Sequence, residues 1–237
     1  MIMKKNILLI SNSKSFRKGY LEHCREEITD FMGNAKDILF VPYALKDYAM
    51  YAELARKQFE IMGYTCISLH TLRNKIESIK KTSCIFVGGG NTFRLLNTLY
   101  KLKLIDSIKN AVKNGAKYMG SSAGSNIAGP TIKTTNDMPI IQPPSFKALN
   151  LVPFQINPHF IDSSPNSTHM GETREQRLTE YLEENSIPVV ALREGSWLRI
   201  QNSKVTLGGK TGGIIFEAQK KPYEINAQTN LSFLLKR

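Results

Sequence analysis

The sequence predicts an α/β fold in which a mostly parallel sheet lies between layers of helices. Short apolar runs of strand length alternate with stretches whose apolar residues recur at helical spacing, and this order favours a parallel sheet covered on both faces. The chain has 237 residues, of which 41% are hydrophobic, enough to bury a sizeable core. Because no linker or internal repeat divides it, we expect a single domain over residues 1–237.

The predicted strands are the apolar runs Ile7–Ile10, Ile38–Val41, Cys66–Leu69, Cys84–Val87 and Lys117–Met119. Helical spacing between them predicts helices over Tyr20–Phe31, Ala52–Met62 and Leu104–Val112, each followed by a glycine that can end it. From about Gly195 the pattern changes to period two around turn residues such as Asn202-Ser203. This change predicts an antiparallel hairpin region that closes the domain.

Several protein classes are disfavoured by composition. No apolar run approaches the ~20 residues that span a bilayer. The N-terminal segment MIMKKNILLIS has no small-residue cleavage site of a signal peptide, so we expect a cytoplasmic protein with no membrane partner. The cysteines Cys24, Cys66 and Cys84 are widely spaced within apolar segments, which predicts buried free thiols.

The formal net charge of +12 raises the question of a nucleic-acid partner. The lysines are scattered along helix-like faces, however, and no nucleic-acid-binding module is recognisable. We therefore expect a solvated basic surface that attracts small anionic substrates and binds no nucleic acid.

A candidate nucleophile lies in the segment KYMGSSAGSN, where a predicted strand runs into a helix-compatible stretch. Ser122 is the central residue of its GxSxG pattern, the arrangement that presents a serine on a sharp strand-to-helix turn. The flanking glycines are required because the backbone at such a turn is strained and passes close to its neighbours. The pattern alone is weak, since a tight turn of small residues without chemistry has the same composition.

Two segments of the sequence offer candidate oxyanion donors for this serine. The segment CIFVGGGNTF takes another strand into three glycines, but it lacks the lysine and the spacing of nucleotide-binding loops. Backbone N–H groups of Gly89 and Gly90, together with that of Ala123 after the serine, are candidate donors to a developing oxyanion. A tight glycine loop with no ligand is the alternative interpretation.

The candidate base is His159, which follows a proline at the end of an apolar strand. Two acids are candidates for the carboxylate that would orient it. Glu194 follows a strand, like the other candidate groups, and this position favours it. Asp137 lies in an irregular polar loop, where it could orient the histidine loop, bind a substrate amino group or form a simple turn.

A candidate anion-binding residue begins a later predicted helix. Thr173 and Gln176 have the spacing of a capping box, which puts Arg174 in the first turn. The helix dipole disfavours a cation there. Arg174 therefore either pairs with a neighbouring glutamate or binds a carboxylate of the substrate.

The motifs of the chain together resemble those of the peptidase E family of serine peptidases. They are FVGGGNTF, GSSAG, TTNDMP, QPPSF, QINPHF, GETREQR and LREGSW, and the resemblance runs from SNS near residue 11 to the glycines at 208 and 209. It implies a flavodoxin-like fold similar to the class I glutamine amidotransferases and hydrolysis of Asp-Xaa dipeptides after an N-terminal aspartate. It also implies that Ser122 is the nucleophile, His159 its base, Glu194 or Asp137 the acid, and that Arg174 meets the aspartyl carboxylate. Ser121 departs from the family, where better-known members carry a bulky aromatic residue.

We expect no metal or cofactor, because the sequence has no clustered metal-ligand motif, and either a monomer or a homodimer. The nearest alternative function is a cyanophycinase-like exopeptidase that cleaves β-Asp-Arg linkages. A catalytically dead, nucleic-acid-binding protein and a glutamine amidotransferase-like enzyme are weaker alternatives, since every polar residue needed for serine chemistry is present and a serine replaces the amidotransferase cysteine.

Overall fold

The order of elements along the chain is the alternating one that the sequence predicts. The structure is a computed structural model that describes residues 5–163, 168, 170–227 and 229–236. The strands are β1 Asn6–Ile10, β2 Asp37–Val41, β3 Thr65–Ser68, β4 Cys84–Val87, β5 Lys117–Ser121, β6 Gln155–Phe160, β7 Val189–Arg193, β8 Ser196–Gln201, β9 Lys204–Gly209, β10 Gly213–Phe216 and β11 Tyr223–Ile225. The helices are α1 Arg25–Met32, α2 Tyr48–Ile61, α3 Lys75–Lys81, α4 Thr92–Lys101, α5 Ile105–Lys113, α6 Ala123–Asn126 and α7 Arg174–Glu184. Short 3₁₀ turns occur at Glu22–Cys24, Leu69–Thr71 and Ser232–Lys236.

The larger sheet has the strand order β3-β2-β4-β5-β1-β8-β9. Its first five strands are parallel to their neighbours. The last two form an antiparallel hairpin, and β8 pairs antiparallel with β1. The predicted mostly parallel sheet and the predicted hairpin around Asn202-Ser203 are both confirmed.

Both faces of this sheet are covered, as expected for parallel strands with helical connections. Alternate residues of β1 show this: Ile7 and Leu9 belong to the core cluster under α3, α4 and α5. Leu8 and Ile10 belong to the cluster under α1 and α2. Because successive side chains of a strand point to opposite faces, a strand buried on both faces is continuously apolar. This explains the unbroken apolar run ILLI at residues 7–10.

A second sheet, with the order β11-β10-β7-β6, was not foreseen as a separate layer. Strand β10 leaves the predicted hairpin region and pairs antiparallel with β7, while β6 and β7 are parallel. A small core forms between this sheet and α7, where Leu178 packs with Phe160 and Phe216. The residues Glu194 and Gly195 connect β7 of this sheet to β8 of the larger one.

Two further expectations have clear outcomes. The three cysteines are buried free thiols, as predicted. The first helix, however, starts at Arg25 and not at Tyr20, because Leu21 has a left-handed backbone (φ 57°) that a continuous α-helix cannot include. In the part of the chain that the structure describes, no helix combines the length and apolarity needed to cross a bilayer. The first four residues of the N-terminal segment lie outside that part.

Phe86 lies at the centre of a group of packed aromatic rings in the core under α1 and α2. Its fully buried ring lies 5.3 Å from the ring of Phe40 and 5.2 Å from that of Phe59, measured between centroids. We expect Phe86→Ala to lower the free energy of unfolding in urea by about 3–5 kcal/mol, since it removes these contacts and leaves a cavity. The control Phe16→Ala, at a ring that is 86% exposed, should change it by less than about 0.5 kcal/mol. Equal effects of the two substitutions would contradict this packing.

Candidate active site

Ser122 lies on the turn between β5 and α6, at the carboxyl end of the parallel strands. Its backbone has φ 53° and ψ −112°, a region that non-glycine residues rarely adopt. The turn is held from both sides, because the Ser122 N–H donates to the Ile10 carbonyl at 3.0 Å and the Ser122 carbonyl accepts from the N–H groups of Ser125 and Asn126 at 2.9 Å. The structure thus gives Ser122 the strained strand-to-helix turn predicted from the GxSxG pattern.

The glycines of this pattern are required by close backbone approaches. A Cβ on Gly120 would lie 2.5 Å from the carbonyl oxygen of Gly124. A Cβ on Gly124 would overlap the carbonyl oxygen of Val87 at the end of β4. Any larger residue would therefore push the turn away from the sheet.

His159 lies within β6 and faces Ser122. Its Nε2 is 2.9 Å from the Ser122 Oγ, a hydrogen-bonding distance. The backbone of His159 is also left-handed (φ 54°), and the pairing of β6 with β7 shifts register between Asn157 and Phe160. This β-bulge turns the imidazole out of the sheet and toward the serine.

Glu194 completes a chain of hydrogen bonds with these two residues. Its Oε1 lies 2.7 Å from the His159 Nδ1. The site is open to solvent, since the side chains of His159 and Glu194 are 36% and 56% exposed. The Glu194 main chain is held by the Thr211 hydroxyl, which donates to its carbonyl at 2.6 Å. Of the two acids that the sequence left open, Glu194 is the one that contacts the histidine.

Asp137 makes different contacts. Its Oδ2 accepts hydrogen bonds from the Thr92 N–H at 2.7 Å, from the Thr92 hydroxyl at 2.6 Å and from the Thr135 hydroxyl at 3.2 Å. Thr92 is the first residue of α4, so the carboxylate also benefits from the positive end of the helix dipole. Its second oxygen, Oδ1, accepts no hydrogen bond from the described residues.

The loop that carries Asp137 is attached to β6. The Asn157 side chain donates to the Thr134 carbonyl and to Asn136 Oδ1, each at 2.8 Å, and the Asn136 side chain donates to the Pro158 carbonyl at 2.7 Å. These bonds fix the strand that presents His159 against the loop of Asp137.

Of the glycines predicted to supply oxyanion donors, Gly89 lies directly beside the serine turn. The Cα of Gly89 passes so close to Ser122 that a Cβ there would lie 2.9 Å from the serine Cβ. Burial raises the pKa of the Tyr51 hydroxyl to about 12, while hydrogen bonds from Tyr20 and from the Gly89 N–H lower it. The N–H groups of Gly90 and Ala123 have no acceptor among the described residues.

Arg174 is the first residue of α7 and lies within the predicted capping box of Thr173 and Gln176, which is confirmed. Burial lowers the pKa of its guanidinium and the nearby Arg177 lowers it further, whereas the carboxylate of Asp137 raises it. Arg174 forms no hydrogen bond or ion pair with another described residue, so neither neighbouring glutamate neutralises it. Arg174 and Asp137 therefore lie close enough to interact electrostatically.

Sequence reasoning missed two residues that directly follow β1. The Ser11 side chain is fully buried and hydrogen-bonded to the main chains of β6 and β7. The Asn12 side chain accepts a hydrogen bond from the Gly195 N–H at 2.7 Å. The only signal in the sequence is a polar SNS run at the end of an apolar strand. Among the described residues, no three His, Cys, Asp or Glu side chains are grouped so that they could hold a metal ion.

An α/β sheet that carries a serine, a histidine and a carboxylate in one hydrogen-bonded chain, with the serine on a strand-to-helix turn, defines the architecture of a serine hydrolase. The profile of peptidase family S51 matches residues 7–208, and the chain belongs to that family. The resemblance to the peptidase E family is thereby confirmed.

Individual relatives agree with this assignment. The chain is 46% identical to Peptidase E of Streptomyces coelicolor, over 97% of this chain and 95% of that protein. It is 44% identical to a probable alpha-aspartyl dipeptidase of Drosophila melanogaster over the full length of both. A crystal structure of a putative peptidase E protein from Listeria monocytogenes superposes with a TM-score of 0.67 and 25% identity, covering 88% of this chain and 100% of the other.

The close approach of Gly89 to the serine can be tested by adding one methyl group. A Cβ at Gly89 meets the Ser122 Cβ and, at 3.2 Å, the Ser121 carbonyl oxygen, so we expect Gly89→Ala to displace the serine. The value of kcat/KM for Asp-Leu should fall at least about 100-fold, because a displacement of the nucleophile by about 1 Å is enough to disrupt the reacting geometry. The control Gly19→Ala, whose Cβ meets only the flexible carboxylate of Glu22, should retain activity. Full activity of Gly89→Ala would contradict the tight packing at this turn.

Proposed function

We propose that this protein is a serine dipeptidase that hydrolyses Asp-Xaa dipeptides after an N-terminal aspartate. The observation that carries the proposal is the hydrogen-bonded chain from the Ser122 hydroxyl through His159 to Glu194. The substrate class is supported by the similarity to proteins named peptidase E and alpha-aspartyl dipeptidase. Electrostatics at Arg174 and Asp137 add independent support.

In the proposed reaction the Ser122 Oγ attacks the carbonyl carbon of the peptide bond, and its proton passes to the His159 Nε2. The C–N bond then breaks and the histidine returns that proton to the leaving amine, which leaves an aspartyl ester on Ser122. Water, deprotonated by His159, hydrolyses the ester and regenerates the serine. Glu194 holds the imidazole with Nδ1 protonated and stabilises its cationic form.

The negative charge on the carbonyl oxygen requires donors next to Ser122. We assign this role to the N–H groups of Gly90 and Ala123, since neither has an acceptor among the described residues. Gly89 is a third candidate donor, and its missing side chain also leaves room beside the serine.

Selection of aspartate is assigned to Arg174 and Asp137. A half-buried guanidinium without a partner among the described residues favours a carboxylate. A carboxylate oxygen that accepts no hydrogen bond from those residues favours an ammonium group. An N-terminal aspartate has both groups a few bonds apart. We therefore propose that Arg174 binds the aspartyl side chain and that Asp137 Oδ1 binds the α-amino group.

The remaining expectations stay predictions. They are a single domain over residues 1–237, a monomer or homodimer, a cytoplasmic location, no nucleic-acid partner, and catalysis without a metal or cofactor.

Removal of the proposed nucleophile is the most direct test. We expect Ser122→Ala to lower kcat on Asp-Leu by at least about 10⁴-fold, because the residual rate depends on binding and oxyanion stabilisation alone. Its thermal transition should match that of the wild type, and Ser203→Ala, at an exposed turn, should leave kcat unchanged. A Ser122→Ala protein that still cleaves Asp-Leu at an appreciable rate would remove the basis of the proposal.

The substrate class is tested with Arg174→Met on a panel of Asp-Leu, Asn-Leu and β-Asp-Arg. For Asp-Leu we expect a loss in transition-state stabilisation of about 2–5 kcal/mol, the range for breaking a desolvated charge pair, with a much smaller loss for neutral Asn-Leu. Arg177→Met is the matched control, since it removes a more exposed arginine from the same turn. Equal losses on Asp-Leu and Asn-Leu would indicate a structural arginine, and preferred cleavage of β-Asp-Arg by the wild type would favour the cyanophycinase-like activity.

A further inference from the structure

The end of β1 contacts each of the three segments that carry the proposed catalytic residues. The Ile10 carbonyl accepts hydrogen bonds from the Ser122 N–H at 3.0 Å and from the Ser125 hydroxyl at 2.7 Å. The next residue, Ser11, contacts the segments of His159 and Glu194. The end of β1 is thus joined to every segment of the serine–histidine–carboxylate chain.

The Ser11 hydroxyl uses both its donor and its acceptor on the second sheet. It accepts a hydrogen bond from the His159 N–H and donates one to the Leu192 carbonyl, both at 2.9 Å. Ser11 is fully buried, and its own N–H donates to the Ser196 carbonyl at 3.0 Å. One side chain therefore connects the main chain of the proposed base to the strand that ends just before Glu194.

This contact occurs where the pairing between β6 and β7 of the second sheet is interrupted. The pairing of β6 with β7 breaks between Asn157 and Phe160, and His159 between them has a left-handed backbone. In that conformation the His159 N–H bonds to Ser11 and not to the neighbouring strand. A strained residue persists only where its surroundings fix it, and the Ser11 hydroxyl is the side-chain group that does so at this N–H.

We propose that Ser11 is a positioning residue for the reaction, in that its hydroxyl fixes the bulge that aims the His159 imidazole at Ser122. The inference rests on the proposed function and assigns a role to a residue that meets neither substrate nor reacting atoms. The next residue, Asn12, has a similar role for Glu194. Its Oδ1 accepts a hydrogen bond from the Gly195 N–H at 2.7 Å and so holds the turn that carries Glu194.

The test compares Ser11→Ala and Ser11→Cys with the wild-type protein. The alanine variant removes the hydroxyl, and the cysteine variant keeps the shape of the side chain with a slightly larger atom that is only a weak donor and acceptor. For each protein, kcat and KM on Asp-Leu are measured per reactive Ser122, which is counted by titration with a fluorophosphonate. Counting reactive serines corrects for any unfolded fraction.

We expect kcat per reactive serine to fall about 10- to 100-fold in Ser11→Ala, with KM within about threefold of the wild type, because the imidazole is misaligned and the binding residues are untouched. Ser11→Cys should lie between the two. The control is Thr82→Val, which removes a hydroxyl that donates to the Cys84 carbonyl at 2.9 Å. This hydroxyl lies at the amino end of β4, whereas the proposed active site lies at the carboxyl ends of the parallel strands. The substitution should change thermal stability without changing kcat.

A value of kcat per reactive serine within threefold of the wild type in Ser11→Ala would overturn the proposal whatever happens to the thermal transition. The rate of phosphonate reaction separates this inference from the proposed function, since it requires the aligned Ser122–His159 pair and no dipeptide. If the wild type is labelled but does not cleave Asp-Leu, the substrate assignment fails. Slower labelling of Ser11→Ala would then still support the positioning role, and equal labelling would overturn it.

Discussion

The hydrogen bond between the Ser122 hydroxyl and the His159 imidazole joins two separate sheets, and the rest of the site depends on it. The serine ends a strand of the larger sheet, whereas the histidine belongs to the smaller one. A 2.9 Å contact between groups on different layers survives only if the layers are fixed relative to each other. The connection Glu194-Gly195 and the side chains that follow β1 supply that rigidity.

Both partners of this contact have left-handed backbones, and each such residue costs of order 1–3 kcal/mol. The molecule offsets this cost locally in two different ways. At Ser122 the surrounding glycines allow close packing, and backbone hydrogen bonds to Ile10 and α6 hold the turn. At His159 the strand pairing is interrupted, and the His159 N–H donates to the Ser11 hydroxyl instead. Strain is therefore concentrated where the proposed chemistry requires unusual side-chain directions.

Much of this arrangement could be predicted from the sequence, because it depends on local patterns. Apolar runs give the central strands within two residues, the GxSxG spacing gives the turn of Ser122, and Thr173 with Gln176 gives the start of α7. The second sheet could not be predicted in this way, since β10 has the same alternating pattern whether it pairs with β9 or with β7. The position of Glu194 directly after a strand favoured it over Asp137, but that position does not fix which acid meets the histidine. The three-dimensional contacts of His159 show that it is Glu194.

The fold stabilises the charge of one group assigned to substrate recognition and destabilises the charge of the other. Asp137 lies at the amino end of α4, where the helix dipole and two threonines stabilise its negative charge without any ligand. Arg174 lies at the amino end of α7, where the dipole and Arg177 both oppose its positive charge. A carboxylate bound at Arg174 would relieve this unfavourable interaction and also meet the positive end of the helix. The free energy released there would be available only to an acidic ligand, so the proposed role of Arg174 implies discrimination against neutral analogues of the same size.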